Sequence, residues 1–193
     1  MHETLKKFQC CNFQEALTLD LNDRGLKKVI LRHDIDFSPF SALSMAKIET
    51  EMGAISNYTV MLGSDAYNPF EPKTRSCLKE IAHMGHNIGL HFDASAENIG
   101  KEEELDSEIA KHAKILESLL DVEISFFSYH NTNEFVLTCG KSHYGGIVNC
   151  YAKAIFDVFN YTSDSHGIWL YESWLGHLSR ENNFLQILTH PVW

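Results

Sequence analysis

Short apolar runs alternate with amphipathic stretches along this chain of 193 residues. Apolar runs are typical of buried strands, and amphipathic stretches are typical of helices. The pattern predicts strands at residues 28–32, 55–62, 87–92, 122–129, 147–151, 161–164 and 184–189. It predicts helices at residues 39–52, 73–84, 102–120, 152–159 and 173–180. This alternation indicates an α/β protein with a mainly parallel sheet, open or closed into a barrel.

The first predicted strand leads directly into two carboxylates, Asp34 and Asp36. Side chains two residues apart on a strand lie on the same face, whereas His33 between them points away. Two carboxylates this close repel each other unless a cation lies between them or one holds a proton. The pair therefore indicates a chemical site rather than a packing position.

Polar side chains that can bind metals follow most of the predicted strands. They are Asp34, Asp36, His91, Asp93, His130, Asp164 and His190. In a parallel barrel the carboxyl ends of the strands share one rim, which carries the active site. Imidazole and carboxylate ligands suit zinc, and also iron, cobalt or nickel, better than magnesium. The sequence therefore predicts a metal-assisted amide or ester hydrolase.

The bulk composition excludes several classes of protein. A net charge of −10 argues against nucleic acid and anionic membrane surfaces as partners. No apolar run approaches the ~20 residues of a membrane span, and no apolar signal segment follows the first residues. The five cysteines form no CxxC pair, so free thiols in a reducing compartment are expected. No linker or repeat divides the chain, and we expect one domain over residues 1–193 in the cytoplasm.

Five segments together resemble the polysaccharide deacetylases, also called NodB-homology carbohydrate esterases. They are RHDIDFSP at 32–39, GHNIGLHFD at 85–93, FSYH at 127–130, SDSHGIW at 163–169 and LTHPVW at 188–193. They occur in the family order and resemble the branch whose first motif reads Arg-His-Asp-Val/Ile-Asp. The resemblance implies a deformed (β/α) barrel of about seven strands. It also implies metal-dependent deacetylation, with Asp34 as general base, Asp36 and His91 as metal ligands, and His190 as general acid.

Two departures from the family pattern affect the metal and the base. The second motif of the family ends in a histidine where this chain has Ser95. We expect His130 to be the third metal ligand instead, with Asp93, Asp164 or a water as alternatives. The third motif of the family carries an arginine that holds the base, and residues 129–133 contain none. Arg32 is the candidate for that role.

The sequence thus predicts a metal-dependent hydrolase, with zinc the expected metal, that removes an N- or O-acetyl group from a sugar or polysaccharide precursor. Asp164 and Trp193 are the predicted substrate-binding residues, and Tyr129, Trp169 and Trp174 are further aromatic residues near the rim. The alternative is a catalytically impaired carbohydrate-binding or scaffold protein of the same fold. A phosphate-ester hydrolase is disfavoured because few basic residues lie near the motifs.

Overall fold

A computed structural model describes residues 5–22, 25–169, 176 and 182–192. Its strands are β1 (Gln9–Cys10), β2 (Lys28–Ile35), β3 (Asn57–Val60), β4 (Asn87–Phe92), β5 (Phe126–Tyr129), β6 (His143–Tyr144), β7 (Ile147–Asn149), β8 (Asn160–Ser163) and β9 (Phe184–Thr189). Its α-helices are α1 (Phe13–Ala16), α2 (Pro39–Glu51), α3 (Pro72–His83), α4 (Glu102–Leu120), α5 (Glu134–Thr138) and α6 (Lys153–Phe156). A 3₁₀ turn at Ser165–Gly167 follows β8.

All these strands belong to one curled sheet. Its order is β6-β7-β5-β4-β3-β2-β9-β8, and β1 pairs with the start of β2. Every pair is parallel except the β6–β7 hairpin. Arg32 on β2 lies 3.3 Å from Tyr151, just after β7, although three strands separate β2 from β7 in the sheet. Only a strongly curled sheet permits that contact, so the predicted α/β barrel-like fold is confirmed.

Alternation along β2 decides which side chains reach the interior of the curl. Ile30 packs with Phe126 and Val148 in the lower part of the interior. Ile35 points outward and packs against Ala42 and Ala46 of α2. Side chains on the face of Ile30 continue upward through Arg32 and Asp34 to the carboxyl end of the strand. The fold therefore delivers the polar residues of the first motif to the interior rim.

The structure departs from the predicted boundaries mainly at short elements. The helix predicted at residues 102–120 spans those residues, whereas β5 begins at Phe126 rather than at residue 122. The elements β1, α1, α5 and β6 were not predicted, because two to five residues are too few for a readable period. Of the helix predicted at residues 173–180, only residue 176 is described. None of the described helices is long and apolar enough to cross a membrane.

Candidate active site

Three potential ligand atoms converge at the carboxyl ends of β2, β4 and β5. Asp36 Oδ1 lies 3.1 Å from His91 Nε2 and 3.4 Å from His130 Nδ1. The two imidazole nitrogens lie 3.1 Å apart. The structure thus brings together the three residues predicted to bind the metal, including His130 in place of the family histidine that Ser95 replaces.

The spacing of these atoms suits a small divalent cation. With metal–ligand bonds of about 2.0–2.1 Å and tetrahedral angles, the ligand atoms of one ion lie about 3.3–3.4 Å apart. Asp36 Oδ1 is buried and has no hydrogen bond of acceptable geometry to any described residue, despite its two histidine neighbours. A buried carboxylate oxygen without a hydrogen bond is costly, and a cation between the three atoms would remove that cost. The donor set therefore fits zinc and related metals, with room for a fourth ligand.

His91 is oriented by a serine on the neighbouring strand. Its Nδ1 lies 2.7 Å from the Ser128 hydroxyl, which leaves Nε2 facing Asp36 and His130. The side chains of His91 and Ser128 are both buried. A hydrogen bond at the far nitrogen is the usual way in which a metal-binding histidine is held in one tautomer and orientation.

Asp34 lies beneath this group of ligands and is held by a buried arginine. Arg32 donates from Nε to Oδ1 at 2.9 Å and from Nη2 to Oδ2 at 2.6 Å. The Thr59 hydroxyl donates to Oδ1 at 2.7 Å. Burial alone would raise the pKa of Asp34, but the charges of Arg32 and His91 outweigh it and hold that pKa well below its usual range. The carboxylate is therefore ionised, as a general base must be.

The two oxygens of Asp34 have different surroundings. Oδ1 accepts from both Arg32 and Thr59, whereas Oδ2 accepts from Arg32 and lies 3.8 Å from His91 Nε2. Oδ2 is thus the oxygen that approaches His91 Nε2. The arginine that holds Asp34 comes from the same strand, two residues earlier, as the candidate Arg32 was expected to do.

His190 approaches the same place from β9. Its Nδ1 lies 2.7 Å from Asp164 Oδ1, its backbone N–H donates to Asp164 Oδ2, and its Nε2 lies 3.7 Å from Asp36 Oδ2. Burial lowers the pKa of His190, but Asp164 and the other carboxylates outweigh it, so the pKa is raised. The raised pKa favours the protonated form of His190, and its Nε2 faces Asp36.

The remaining predicted site residues do not lie among the three converging ligand atoms. Asp164 was predicted to bind substrate, but it is buried and uses both oxygens on His190, so the structure favours a positioning role. Asp93, an alternative third ligand, instead accepts from the backbone N–H groups of Ser95 and Ala96. Trp169 packs against a separate cluster around Val29 and Leu185. Trp174 and Trp193 lie outside the described residues.

A cavity of about 490 Å³ lies above the converging groups. It is lined by all five of Asp34, Asp36, His91, His130 and His190, and by Phe37, Tyr151 and Leu188. This volume is within the range of small-molecule sites. Sequence reasoning overlooked Thr59, Ser128 and Tyr151. No local signal marks them, because their contacts join strands that are distant in the chain.

Several solved structures have folds similar to that of this protein. No family model matches the chain, and no curated protein matches it. A family 4 carbohydrate esterase from Bacillus anthracis superposes with a TM-score of 0.54 at 14% identity, over 91% of this chain and 75% of that one. The Streptococcus pyogenes deacetylase PplD, in complex with acetate, has a TM-score of 0.51 at 14% identity, over 99% of this chain and 78% of that one.

A third similar structure is a mutant of BA3943, a family 4 pseudoenzyme from Bacillus anthracis, with restored enzymatic activity. It has a TM-score of 0.51 at 11% identity and covers 86% of this chain. The chain spans only 57% of the length of that protein. The protein therefore has the fold of the family 4 carbohydrate esterases, the family of polysaccharide deacetylases that its motifs resemble.

Proposed function

We propose that this protein is a metal-dependent hydrolase that removes an acetyl group from a carbohydrate. The observation that carries the proposal is the convergence of Asp36, His91 and His130 beside a buried ionised Asp34 and a carboxylate-bound His190. Ligand set, base and acid all line one cavity. The similar structures, which include a carbohydrate esterase and a deacetylase bound to acetate, support this class of reaction.

Asp36, His91 and His130 would hold one divalent cation, zinc first, with iron, cobalt or nickel as alternatives. When bound, such a cation polarises an acyl carbonyl and lowers the pKa of a coordinated water. Ser128 keeps Nε2 of His91 directed at the ion through its bond to Nδ1. The three proposed ligands are side chains at the carboxyl ends of β2, β4 and β5, and their ligand atoms already lie within 3.4 Å of one another, so the site is largely preformed.

Asp34 and His190 would divide the proton transfers between them. Asp34 would accept a proton from the attacking water through Oδ2, the oxygen that approaches His91 Nε2. His190 donates a proton from Nε2 to the departing amine or hydroxyl. Arg32 lowers the pKa of Asp34, which favours the ionised form that a base needs. Asp164 orients His190 and helps to raise its pKa, which favours the protonated form that an acid needs.

The substrate we propose is an acetylated sugar or polysaccharide precursor. The cavity volume of about 490 Å³ and its polar floor suit a sugar better than an extended apolar ligand. The cysteines at positions 10, 11, 77, 139 and 150 are all free, and four of them are buried. Free thiols suit a reducing compartment, so the cytoplasm is the location that we propose.

The alternative is an impaired protein of this fold that binds a carbohydrate without hydrolysing it. Its support is that pseudoenzymes occur among the similar structures. The enzyme is the function we propose, and its support is that the proposed base and acid line the same cavity as three potential metal ligands, Asp36, His91 and His130.

Metal analysis combined with turnover tests the proposal. We expect the purified protein to bind one zinc or related ion and, when loaded, to release acetate from tetra-N-acetylchitotetraose or 4-nitrophenyl acetate. We expect His91→Ala to lose most of the bound metal. The matched control is His143→Ala, because the His143 side chain is exposed and its hydrogen bond is to the exposed Ser142.

Two results would contradict the proposal. Unchanged metal content in His91→Ala would exclude that ligand assignment. A loaded parent protein that hydrolyses neither substrate but binds the chitotetraose would support the impaired alternative instead.

A further inference from the structure

Tyr151 lies where the sheet is not closed by backbone hydrogen bonds. It follows β7, and the nearest strand across this opening is β8. Its ring packs 5.8 Å from the ring of Tyr129 and stacks on Phe156 at 5.7 Å. Phe156 in turn contacts Tyr161 of β8 at 5.3 Å. Tyr151 is thus fixed in the wall of the cavity by aromatic packing.

The hydroxyl of Tyr151 accepts one hydrogen bond and donates none to any residue that the structure describes. It accepts from Arg32 Nη2 at 3.3 Å, and the guanidinium lies 4.9 Å from the ring centre. Arg32 has only donors, so it cannot take the proton of this hydroxyl. No acceptor for that proton is present among the described residues. Burial raises the pKa of Tyr151 more than Arg32 lowers it, so the hydroxyl keeps its proton at neutral pH.

Arg32 links this hydroxyl to the base. Its Nη2 lies 2.6 Å from Asp34 Oδ2 and 3.3 Å from the Tyr151 oxygen. These two distances limit the separation of the Tyr151 oxygen from Asp34 Oδ2 to at most 5.9 Å. A water activated at Oδ2 lies one hydrogen bond from that oxygen, and the carbon that it attacks lies about one further bond away. Because Asp34 and Tyr151 line the same cavity, an acyl group bound between them can direct its oxygen to the Tyr151 hydroxyl.

We propose that Tyr151 donates its hydroxyl proton in a hydrogen bond to the acyl oxygen that becomes negative when the carbonyl is attacked. The inference rests on the proposed deacetylase function and adds a substrate-contacting residue to it. Arg32 would then have two roles, because it holds Asp34 and also polarises the tyrosine hydroxyl through the bond that this hydroxyl accepts. A fixed donor aimed at developing charge stabilises the transition state more than the bound substrate.

The probe for this site is methylphosphonate, a tetrahedral anion that carries a methyl group and resembles an attacked acetyl group. Its dissociation constant is measured by titration calorimetry on zinc-loaded protein. We expect Tyr151→Phe to weaken binding about tenfold to a hundredfold, the usual effect of losing a hydrogen bond to a charged group. With tetra-N-acetylchitotetraose, we expect kcat to fall about a hundredfold while KM changes little.

Tyr129→Phe is the matched control. The Tyr129 hydroxyl is buried and has no hydrogen-bond partner within the described part of the chain, so its removal keeps the neighbouring ring and deletes no observed bond. We expect probe affinity in this variant to equal that of the parent. Metal content is measured in all three proteins, because the proposal requires it to stay the same.

The outcomes separate this inference from the proposed function. Equal probe affinity in Tyr151→Phe and the parent would overturn the inference. Loss of metal from Tyr151→Phe would also overturn it, and so would a metal-loaded parent protein that does not bind the probe. The parent protein could lack turnover and yet bind the probe more tightly than Tyr151→Phe does. That result would contradict the proposed function and support the donor role of Tyr151.

Discussion

At the scale of single residues, the site depends on the pairing of Arg32 with Asp34. Both side chains are almost fully buried, and the guanidinium bonds both oxygens of the carboxylate. A buried ion pair of this kind adds little net stability, but loss of one partner typically costs about 3–5 kcal/mol because the other charge is left unpaired. Its contribution here is to keep Asp34 ionised and in one orientation.

Substitution of the base or the acid tests their roles. We expect Asp34→Asn and His190→Ala each to lower turnover of an acetylated sugar about 10²-fold or more. The Asp34→Asn variant should stay folded, because its amide oxygen can still accept from Arg32, although its unfolding temperature should fall. Circular dichroism and metal content provide the controls for both variants. Near-normal turnover in either one would remove that residue from the mechanism.

At the scale of elements, the strands must approach closely beneath the site. Gly89 lies in β4, two residues before His91 and on the same face. The ring of Phe126 on β5 covers the position where a Cβ of residue 89 would be. A glycine is therefore required here by packing rather than by backbone conformation.

Substitution of this glycine should be destabilising. A Cβ on residue 89 would come within 2.4 Å of the Phe126 ring, which is itself fully buried. We expect Gly89→Ala to lower the free energy of unfolding by about 1–3 kcal/mol, as overpacked core positions do. The control is Gly63→Ala, where a Cβ would meet nothing within 4 Å. Urea unfolding of both variants measures the difference, and equal midpoints would contradict this account of the packing.

At the scale of the whole molecule, a second cluster of buried polar side chains lies on the outer face of β2. Its hydrogen bonds connect several strands to a helix. His33 Nε2 lies 2.8 Å from Glu49 of α2, and Tyr58 of β3 donates to the same carboxylate at 2.6 Å. His33 Nδ1 also lies 2.6 Å from the Thr189 hydroxyl of β9. This group joins three strands and a helix next to the site, without taking part in the proposed chemistry.

The carboxyl of Glu49 makes the stability of the protein depend on pH. Burial would raise the pKa of Glu49, but His33 and Tyr58 outweigh it and hold that pKa at about 2, against 4.5 ordinarily. A carboxyl whose pKa is lower in the folded state than in the unfolded state stabilises the folded protein. This contribution is complete above the pKa of the unfolded state and is lost as the pH falls through the pKa of the folded state. The contribution is on the order of 3 kcal/mol above pH 4.5 and declines between about pH 4.5 and 2.

Comparison with Glu49→Gln isolates this effect from the titration of other carboxyls. The parent should be more stable than the variant at pH 6, and the difference in their free energies of unfolding should shrink steadily down to pH 2. Urea unfolding at several pH values measures both proteins. A difference that is constant over this range would show that Glu49 is not the group responsible.

Local features of the sequence determine the strands and helices of this protein and the positions of several site residues on them. Alternating apolar and amphipathic runs predict the strands and helices, because burial of one face imposes a period on each element. The i, i+2 spacing places Asp34 and Asp36 on one face of β2, and strand ends place His91 and His190 on the same rim. These conclusions need only the backbone geometry of single elements and the direction of the strands.

The tertiary structure decided which side chains meet. From the sequence, His130, Asp93 and Asp164 were all open as the third ligand. In the structure His130 lies beside Asp36, while Asp93 binds backbone amides and Asp164 binds His190. The partner of Tyr151 was equally undetermined, because Arg32 lies 119 residues away in the chain. Such contacts depend on the curl of the sheet, a sum of packing over many strands that no local pattern encodes.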